Sequence, residues 1–521
     1  MDIQSRCRAV NELYRSNDRP GKIIFYPAYG TPKTNKIIRH SIGGDKPFIV
    51  FNYSITNTAH GLLERVFTLV DEVTGELGLT PPTTATGIML LRSFSRNIKS
   101  KLPHDIIPYT PAQVLATLSG RKRIINERAF ADLEVSQIMS EDFNVKPFVK
   151  KEKTKPNGIP RIVSPRGPRA NAALSQYIKP IEHHIYDAID QMFNAQVVAK
   201  GMNAREMAAI VEIAWFSHEN TVAIGVDAKR FDQHITAELL QFTHNVYTSC
   251  NRDPLFIKML QWRLHNRGVA RCADGTIKYH IRGTRTSGDA DTSLGNILIM
   301  CAICYLFIKQ TGVYITYVNN GDDCIFFMPR EHESIMDTAA DFFLKFGIRI
   351  TLDPPKYIFE QVSFCQTQPV LASSGEYIMV RDPRVILTKD SLTTKYLTPA
   401  QIGPYKFGIG FGGISVYGDI PILNAFYESI GRGQSYDPRF TLSEEDNRGL
   451  YYLSQKFAKR RSKPTDQTRA SFMLAFGLTP DHQVALESLF DSFPAMTRSE
   501  PVPFDASWVP HQLSNIHLLD C

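Results

Sequence analysis

YVNNGDDCIFF, Tyr317 to Phe327, sets two adjacent carboxylates, Asp322 and Asp323, between two apolar runs. The run before them, VYITYV (Val313 to Val318), is β-branched and aromatic, and so is CIFFM (Cys324 to Met328) after them. Side chains of those types fit a pleated, half-buried surface, while Asn and Gly tolerate positive φ. The stretch therefore predicts a β-hairpin turning at Asn-Asn-Gly, with two negative charges at its tip. An acidic loop on a surface hairpin is ordinary. The pair gains chemical meaning only if the rest of the chain brings partners to it.

One partner is TVAIGVD, Thr221 to Asp227, a buried-type strand that ends on an acid and runs into AKRFDQH. Asp227 at such a strand end must meet solvent, a cation or a ligand, and Asp232 follows five positions later. Taken singly, a strand end and a helix N-cap account for both acids. Side by side in one sheet, Asp227, Asp322 and Asp323 would gather three carboxylates at one edge. Such a cluster is repulsive unless hard cations neutralise it. Two divalent ions about 3.5–4 Å apart would do so and would clamp the oxygens of an in-line phosphoryl transfer. Carboxylate oxygens suit Mg²⁺.

Between the two elements lies RTSGDADTSLGNILI, with Ser287, Gly288, Thr292 and Asn296 in the order SGxxxTxxxN where loop becomes helix. Thr292 and Asn296 are four apart and share one helical face. Hydroxyl and amide groups on an otherwise apolar helix can read a sugar or a backbone. Capping explains Ser287 and Thr292 one at a time, but not the ordered set.

Composition bounds the alternatives. With 521 residues the chain exceeds one ordinary core and predicts several subdomains. Hydrophobic residues at 43% and charged residues at 21% are those of a folded globular protein. A net charge of +7 is too small for a nucleic-acid packaging coat, so the placement of charge matters more than its sum. From Lys146 to Arg169 the chain carries Lys146, Lys150, Lys151, Lys153, Lys155, Arg161, Arg166 and Arg169 against the single acid Glu152. Prolines and glycines there exclude a continuous helix. With SGRKRIINER (Ser119 to Arg128) and KFAKRRSK (Lys456 to Lys463), this run suggests a channel for a polyanion.

The cysteines show no framework spacing, which points to a reducing compartment. Cys301 and Cys304 lie inside an apolar run and read as helix core. That run, Ile297 to Ile308, has twelve residues (308 − 297 + 1), short of the roughly 20 a membrane helix needs. The N-terminus has no apolar signal region. Helices are expected from Ala237 to about Tyr247, from Thr292 to Gln310 and over ESIMDTAADFFLKFG, with short strands near 348–352 and 358–364. The pattern predicts an α+β sheet covered by helices on one face.

Strand-Asp-x4-Asp, then SGxxxTxxxN, then a GDD hairpin resembles the ordered motif series A, B and C of viral RNA-dependent RNA polymerases. KRFDQH, SGDADTSLGN, NNGDDC, FCQTQPV (Phe364 to Val370) and PRIVSPRGPRANAALSQYIKPIEHHIY look like positive-strand RNA virus polymerases of the tombusvirus and carmovirus type. The resemblance covers roughly residues 50 to 430. It implies a right-hand polymerase, with an antiparallel palm sheet covered by helices, and RNA-templated nucleotidyl transfer. It implies that Asp227 and Asp322 bind two Mg²⁺ ions (Mn²⁺ a possible substitute), with Asp323 in support. Asp232 and Asn296, with Ser287 and Thr292, would recognise the ribose 2′-hydroxyl, and the backbone around Gly288 would help move the template. Lys150, Lys151, Lys153 and Arg161 would hold the triphosphate. Lys356, with Lys345 as its rival, would protonate the leaving pyrophosphate. Cys365 and Gln366 would support the primer 3′ end.

The implied organisation is an N-terminal segment and fingers over 1–200 and a palm over 201–236 and 286–378. A fingers insertion would occupy 237–285, and a thumb and C-terminal region 379–521. Implied partners are viral RNA template and nascent RNA, NTPs, and a membrane-anchored viral replication protein with host factors. The expected location is host cytoplasm at membrane-associated replication complexes, this chain supplying no membrane span of its own, with the anchor either absent from it or supplied by a separate protein. A reverse transcriptase, which would lack the SGxxxTxxxN set, and a non-catalytic RNA-binding scaffold, which would not need three mutually repelling acids, are the rival readings.

Overall fold

Four strands form the central antiparallel sheet, in the spatial order Thr316–Asn320, Asp323–Pro329, Thr221–Asp227 and Thr351–Leu352. They belong to a computed structural model that describes residues 2–44, 47–71, 74–437 and 462–493. Thr221–Asp227 lies in the middle, buried from Thr221 to Val226 and exposed only at Asp227. An unbroken apolar strand is what burial on both faces demands.

The sheet is indeed covered twice, not on one face as the sequence suggested. Val222, Ile224, Val226 and Phe326 pack into a core with the helices Pro168–Phe193, Ala237–Cys250 and Thr292–Thr311. Ala223, Ile325 and Phe327 face a second core, shared with the helix Ala204–Phe216 and the C-terminal helices. The second layer was not legible because the Ala204–Phe216 helix precedes the sheet in sequence and has no marker of which face it will cover.

Thr292–Thr311 is apolar all round, and Gly312, with φ of +68°, ends it. It is long and apolar enough to cross a membrane by length and composition, yet most of it is buried inside the fold. Cys301 and Cys304 sit in this interior, as expected.

Three local expectations are corrected. The hairpin turns at Gly321–Asp322, since Asn320 pairs with Asp323. ESIMDTAADFFLKFG is not one helix but a 3₁₀ stretch over Arg330–Thr338 followed by the α-helix Ala339–Leu344. Residues 358–364 form no strand: Phe359–Gln361 is a 3₁₀ turn, and the strand begins at Thr367. There Cys365 and Gln366 both take left-handed φ, +51° and +61°, which reverses the chain in two residues.

The basic and aromatic stretch after Arg252 becomes the helix Pro254–Trp262 and a hairpin, His265–Cys272 with Gly275–Arg282. The N-terminal strand Gly21–Pro27 pairs with its second arm. SGRKRIINER lies in the largely exposed helix Gly120–Val135. Of the third basic cluster, Lys456 to Arg461 lie outside the described residues.

Candidate active site

Asp323 and Asp227 are direct partners across neighbouring strands, and Thr351 flanks Asp227 on its other side. Gly321 at φ of +87° lets the chain reverse in two residues, which lifts Asp322 onto the tip beside them. The turn is braced from beneath by a side chain the sequence offered only as turn chemistry. Asn319 is fully buried; its amide donates to the carbonyls of Gly321 at 2.9 Å and Asp323 at 3.2 Å and accepts from the Gly321 N–H at 3.2 Å. Three acids from two sequence segments thus share one sheet edge.

Their electrostatics show the repulsion. Crowding by the protein, then the charges of Asp322 and Asp227, pushes the Asp323 carboxyl up to about 6. Asp322 is raised by the same burial, with Asp227 adding to it. Asp353, beside the strand end, adds a further negative charge against Asp323. Its N–H donates to the Gly225 carbonyl at 2.9 Å, and a Cβ on Gly225 would run into its carboxylate. Gly225 is therefore required by close approach.

The motif loop between these elements closes the site from the other side. Asn296 Nδ2 donates to Asp232 Oδ1 at 2.9 Å, while Arg285 Nε donates to Asn296 Oδ1 at 3.2 Å. A guanidinium cannot accept, so this contact fixes which end of the amide faces Asp232. Burial holds the Asp232 carboxyl up at about 6. Behind Arg285 lies a wholly buried ionic chain: Arg285 meets Asp291 at 3.1 Å, Asp291 meets Arg263, Arg263 meets Asp289 at 3.0 Å, and Asp289 meets Arg166 at 2.9 Å. Thr292 points into its own loop, donating to the carbonyls of Thr286 at 3.2 Å and Asp289 at 3.0 Å. It holds the loop and does not join Asn296 at the Asp232 carboxylate. The loop is seated by Ser164, whose N–H donates to the Ser287 carbonyl at 2.8 Å, and by Gly288 at φ of +113°, which lies against Pro165.

Asp227, Asp322, Asp232, Ser287, Arg161 and Arg285 line one cavity of about 340 Å³. Arg65, Lys229 and Arg230 line it too. Lys229 and Arg230 were within AKRFDQH, where the acids drew attention from them; Arg65 had no signal. Among the described residues no three His, Cys, Asp or Glu side chains form a ready metal cage. A carboxylate edge of this kind fits Mg²⁺ all the same, because that ion keeps several waters and substrate phosphates and takes only one or two carboxylates. Unneutralised, the acids repel one another.

A profile of the viral RNA dependent RNA polymerase family matches residues 25–498. The chain belongs to that family. The RNA-directed RNA polymerase of Tobacco necrosis virus (strain A) is 34% identical over 510 residues, 96% of this chain and 69% of the relative. That of Maize chlorotic mottle virus (isolate United States/Kansas/1987) is 36% identical over 472 residues, 88% of this chain and 48% of the relative. For Turnip crinkle virus the polymerase is 34% identical over 499 residues, 94% of this chain and 63% of the relative. The chain thus spans from about half to about two thirds of the length of these viral polymerases. The family match reaches past both ends of the 50–430 stretch that carried the resemblance.

Not every residue expected at a viral polymerase site is brought to this one. Lys150 and Arg161 flank Glu152, at 2.6 Å and 3.5 Å, on the two arms of a short hairpin, Phe148–Val149 with Ile162–Val163. Arg161 reaches the cavity and its charge eases the ionisation of Asp232 and Asp322. Lys151, next in the chain, is exposed. Lys153 turns away: its ammonium is buried and donates to the carbonyls of Leu392, at 2.9 Å, and Lys389, and burial lowers it to about 8.

Lys356 pairs with Ala223 in the middle of the central strand. That is four residues, or about 13 Å, from Asp227, beyond the reach of a lysine side chain. Lys345 caps the helix Ala339–Leu344 over the Phe342 ring, also outside the cavity. Cys365 lies at the carboxylates instead, with its Sγ accepting from Asn320 Nδ2 at 3.4 Å and its thiol hydrogen-bonded to Asp323. Gln366 completes the same two-residue turn.

Proposed function

We propose that this chain is the RNA-directed RNA polymerase that replicates a positive-strand RNA virus genome, transferring nucleotides from NTPs to an RNA 3′ end on an RNA template. The observation that carries this reading is the register that sets Asp323 opposite Asp227 with Asp322 on the adjoining turn, facing the Asn296–Asp232 pair across one cavity. The family match supports it.

On this reading the segments 201–236 and 286–378 form the palm of a right-hand polymerase. Residues 1–200 form the N-terminal segment and fingers, 237–285 the fingers insertion, and 379–521 the thumb and C-terminal region. Asp227, Asp322 and Asp323 would hold two Mg²⁺ ions, which Mn²⁺ can replace. Bound there, divalent ions supply charge neutralisation for the reacting oxygens. In the reaction the RNA 3′-oxygen forms a bond to the α-phosphorus of the nucleotide, and the bond from that phosphorus to pyrophosphate breaks.

The chain's own groups orient and select. Asp232, with one oxygen held by Asn296, offers the other to a ribose hydroxyl, and a 2′-deoxy sugar would leave this half-buried carboxylate short of a donor. This polarity favours ribonucleotides and weighs against the reverse-transcriptase reading. Arg161, Lys150 and Lys151 supply cations for the triphosphate, Ser287 and Gly288 a loop beside the template, and Cys365 and Gln366 a turn beside the primer end. Lys153 and Lys356 have no part in this set. The partners would be viral template and nascent RNA, NTPs, and a membrane-anchored replication protein with host factors, at membrane-associated complexes in the host cytoplasm.

The test is primer extension on an RNA template by the purified chain, with and without Mg²⁺, beside an Asp322→Ala variant. Metal-dependent ribonucleotide incorporation that vanishes in the variant supports the reading. A variant as active as the parent overturns the site assignment.

A further inference from the structure

The three-stranded sheet Gly21–Pro27, Gly275–Arg282 and His265–Cys272 has two very different faces. One buries Ile23, Ile277, Tyr279 and Ile281 against Ile55, Leu62 and Phe67. Arg65 and Val66, beside that packing, line the catalytic cavity, so the layer containing them separates the sheet from the catalytic site. The other face is open, and it carries Lys22, Tyr26, Arg267, Arg271, Lys278 and His280, all exposed. None of the three strands contains an Asp or Glu.

The register gathers three basic side chains in one row and sets a lysine between two apolar residues in the next. Lys22, His280 and Arg267 form one row across the strands, and Ile24, Lys278 and Val269 the next. A basic group flanked across strands by two cations is costly to charge. Burial, then the charges of Lys22 and Arg267, holds the His280 imidazole below its usual range. Arg282 is paired, with Glu238 at 3.2 Å; among the described residues Lys22, Arg267, Arg271 and Lys278 form no ion pair.

A fold that tolerates this unneutralised stack at the surface leaves it available to an anion from outside. The face is concave, with a cavity of about 540 Å³ over it. Its rows repeat every second residue, about 6.7 Å. Tyr26 is 47% exposed at its edge, with the Lys278 ammonium 5.7 Å from its ring. Cations in a groove beside an exposed aromatic ring are the elements of sequence-tolerant single-strand binding: phosphates on the cations, a base on the ring.

We propose that this sheet face is a second binding site for single-stranded RNA, separate from the catalytic cavity. A flexible strand can follow such a groove and set a base on the Tyr26 ring, a contact that no phospholipid headgroup offers.

The inference goes beyond the polymerase reading, and its readout is oligonucleotide binding rather than RNA synthesis. A fluorescein-labelled 15-nucleotide oligouridylate is titrated into the full chain whose catalytic cleft is already loaded with an unlabelled primer–template hairpin. The variants are Lys22→Ala/Arg267→Ala/Lys278→Ala and the charge-keeping Lys22→Arg/Arg267→Lys/Lys278→Arg. Loss of three phosphate contacts should weaken the oligonucleotide roughly 10- to 100-fold near 0.1 M salt and flatten the log K against log salt slope by about 2. The charge-keeping variant should bind as the parent does. Unchanged melting temperatures and unchanged elongation on the preloaded hairpin would show that the alanine variant is folded. Equal affinity and slope in parent and alanine variant overturn the proposal. So does loss of binding to vesicles of 30% phosphatidylserine with RNA binding intact, which would make the face a membrane contact. A parent that binds the oligonucleotide through these residues but makes no RNA would sink the polymerase reading alone.

Discussion

Replacing Asp323 by Asn should stabilise the metal-free protein, although it alters a residue of the candidate catalytic site. Asp323 stands directly opposite Asp227, where Cβ atoms are about 4.5–5.5 Å apart and like charges are destabilising. Two unit charges about 5 Å apart repel by about 0.8 kcal/mol at the dielectric constant of water and by about 3 kcal/mol at an effective value near 20. Both side chains open onto solvent, so about 1–2 kcal/mol is the fair range. At about 2.1 cal/mol/K per residue the whole chain unfolds with an entropy near 1 kcal/mol/K, so the melting temperature should rise by about 1–2 °C.

The effect carries a pH signature. Asp323 is held at about 6 in the fold, above the unfolded value of about 3.9. The folded state therefore binds this proton more tightly, and the aspartate's destabilisation grows as pH rises from about 4 to about 6. The advantage of Asp323→Asn should be full above that window and vanish below it. Scanning fluorimetry in EDTA between pH 4.5 and 7.5 reads both. Adding Mg²⁺ should raise the parent's melting temperature more than the variant's. A variant that melts below the parent in EDTA at pH 7.5 refutes the reasoning, because the carboxylate would then be a satisfied structural group.

Three further outcomes follow from placement. Arg285→Met frees the Asn296 amide to rotate, so the kcat/KM ratio for a ribonucleotide over its 2′-deoxy analogue should fall about 10-fold, the worth of one oriented hydrogen bond; an equal loss for both substrates would reduce Arg285 to a structural role. Lys153→Met strips two carbonyls of a buried donor and should cost about 2–4 kcal/mol of stability in denaturant titration, with the KM for NTP unchanged in the folded fraction; a raised KM with unchanged stability would return Lys153 to the triphosphate. Lys356→Met should leave single-turnover incorporation within about twofold of the parent, since its backbone lies about 13 Å along the strand from Asp227; a large drop would mean that this segment moves to the site.

The chemistry was more legible in the sequence than the scaffold. Asp227 ended an apolar run and Asp322–Asp323 sat between two others, so each strand announced itself and its acid. What no local pattern carried was the register, by which Asp323 rather than Asp322 meets Asp227. The hairpin expectation put the turn at Asn-Asn-Gly because those residues favour positive φ. In the fold Asn319 is buried in a strand, and its amide satisfies the turn from below. The lysines misled for a related reason: a run of cations says that charge is present, not where each side chain ends. Lys150 and Lys153 are three residues apart, yet Lys150 lies beside Glu152 while Lys153 is plugged into backbone carbonyls near Asp390. Arg285 was passed over because its partners, Asp291 and Asn296, acquire meaning only when the loop folds back on its helix.

On the reading proposed above, the sheet edge at Asp227, Asp322 and Asp323 holds the divalent ions of nucleotidyl transfer. Mn²⁺ titration followed by electron paramagnetic resonance, with a template, a 3′-deoxy-terminated primer and the next nucleotide present, counts those ions directly. Two bound per chain are expected in the parent, with a loss in both Asp227→Asn and Asp322→Asn. The same count in the parent and in both variants would contradict it.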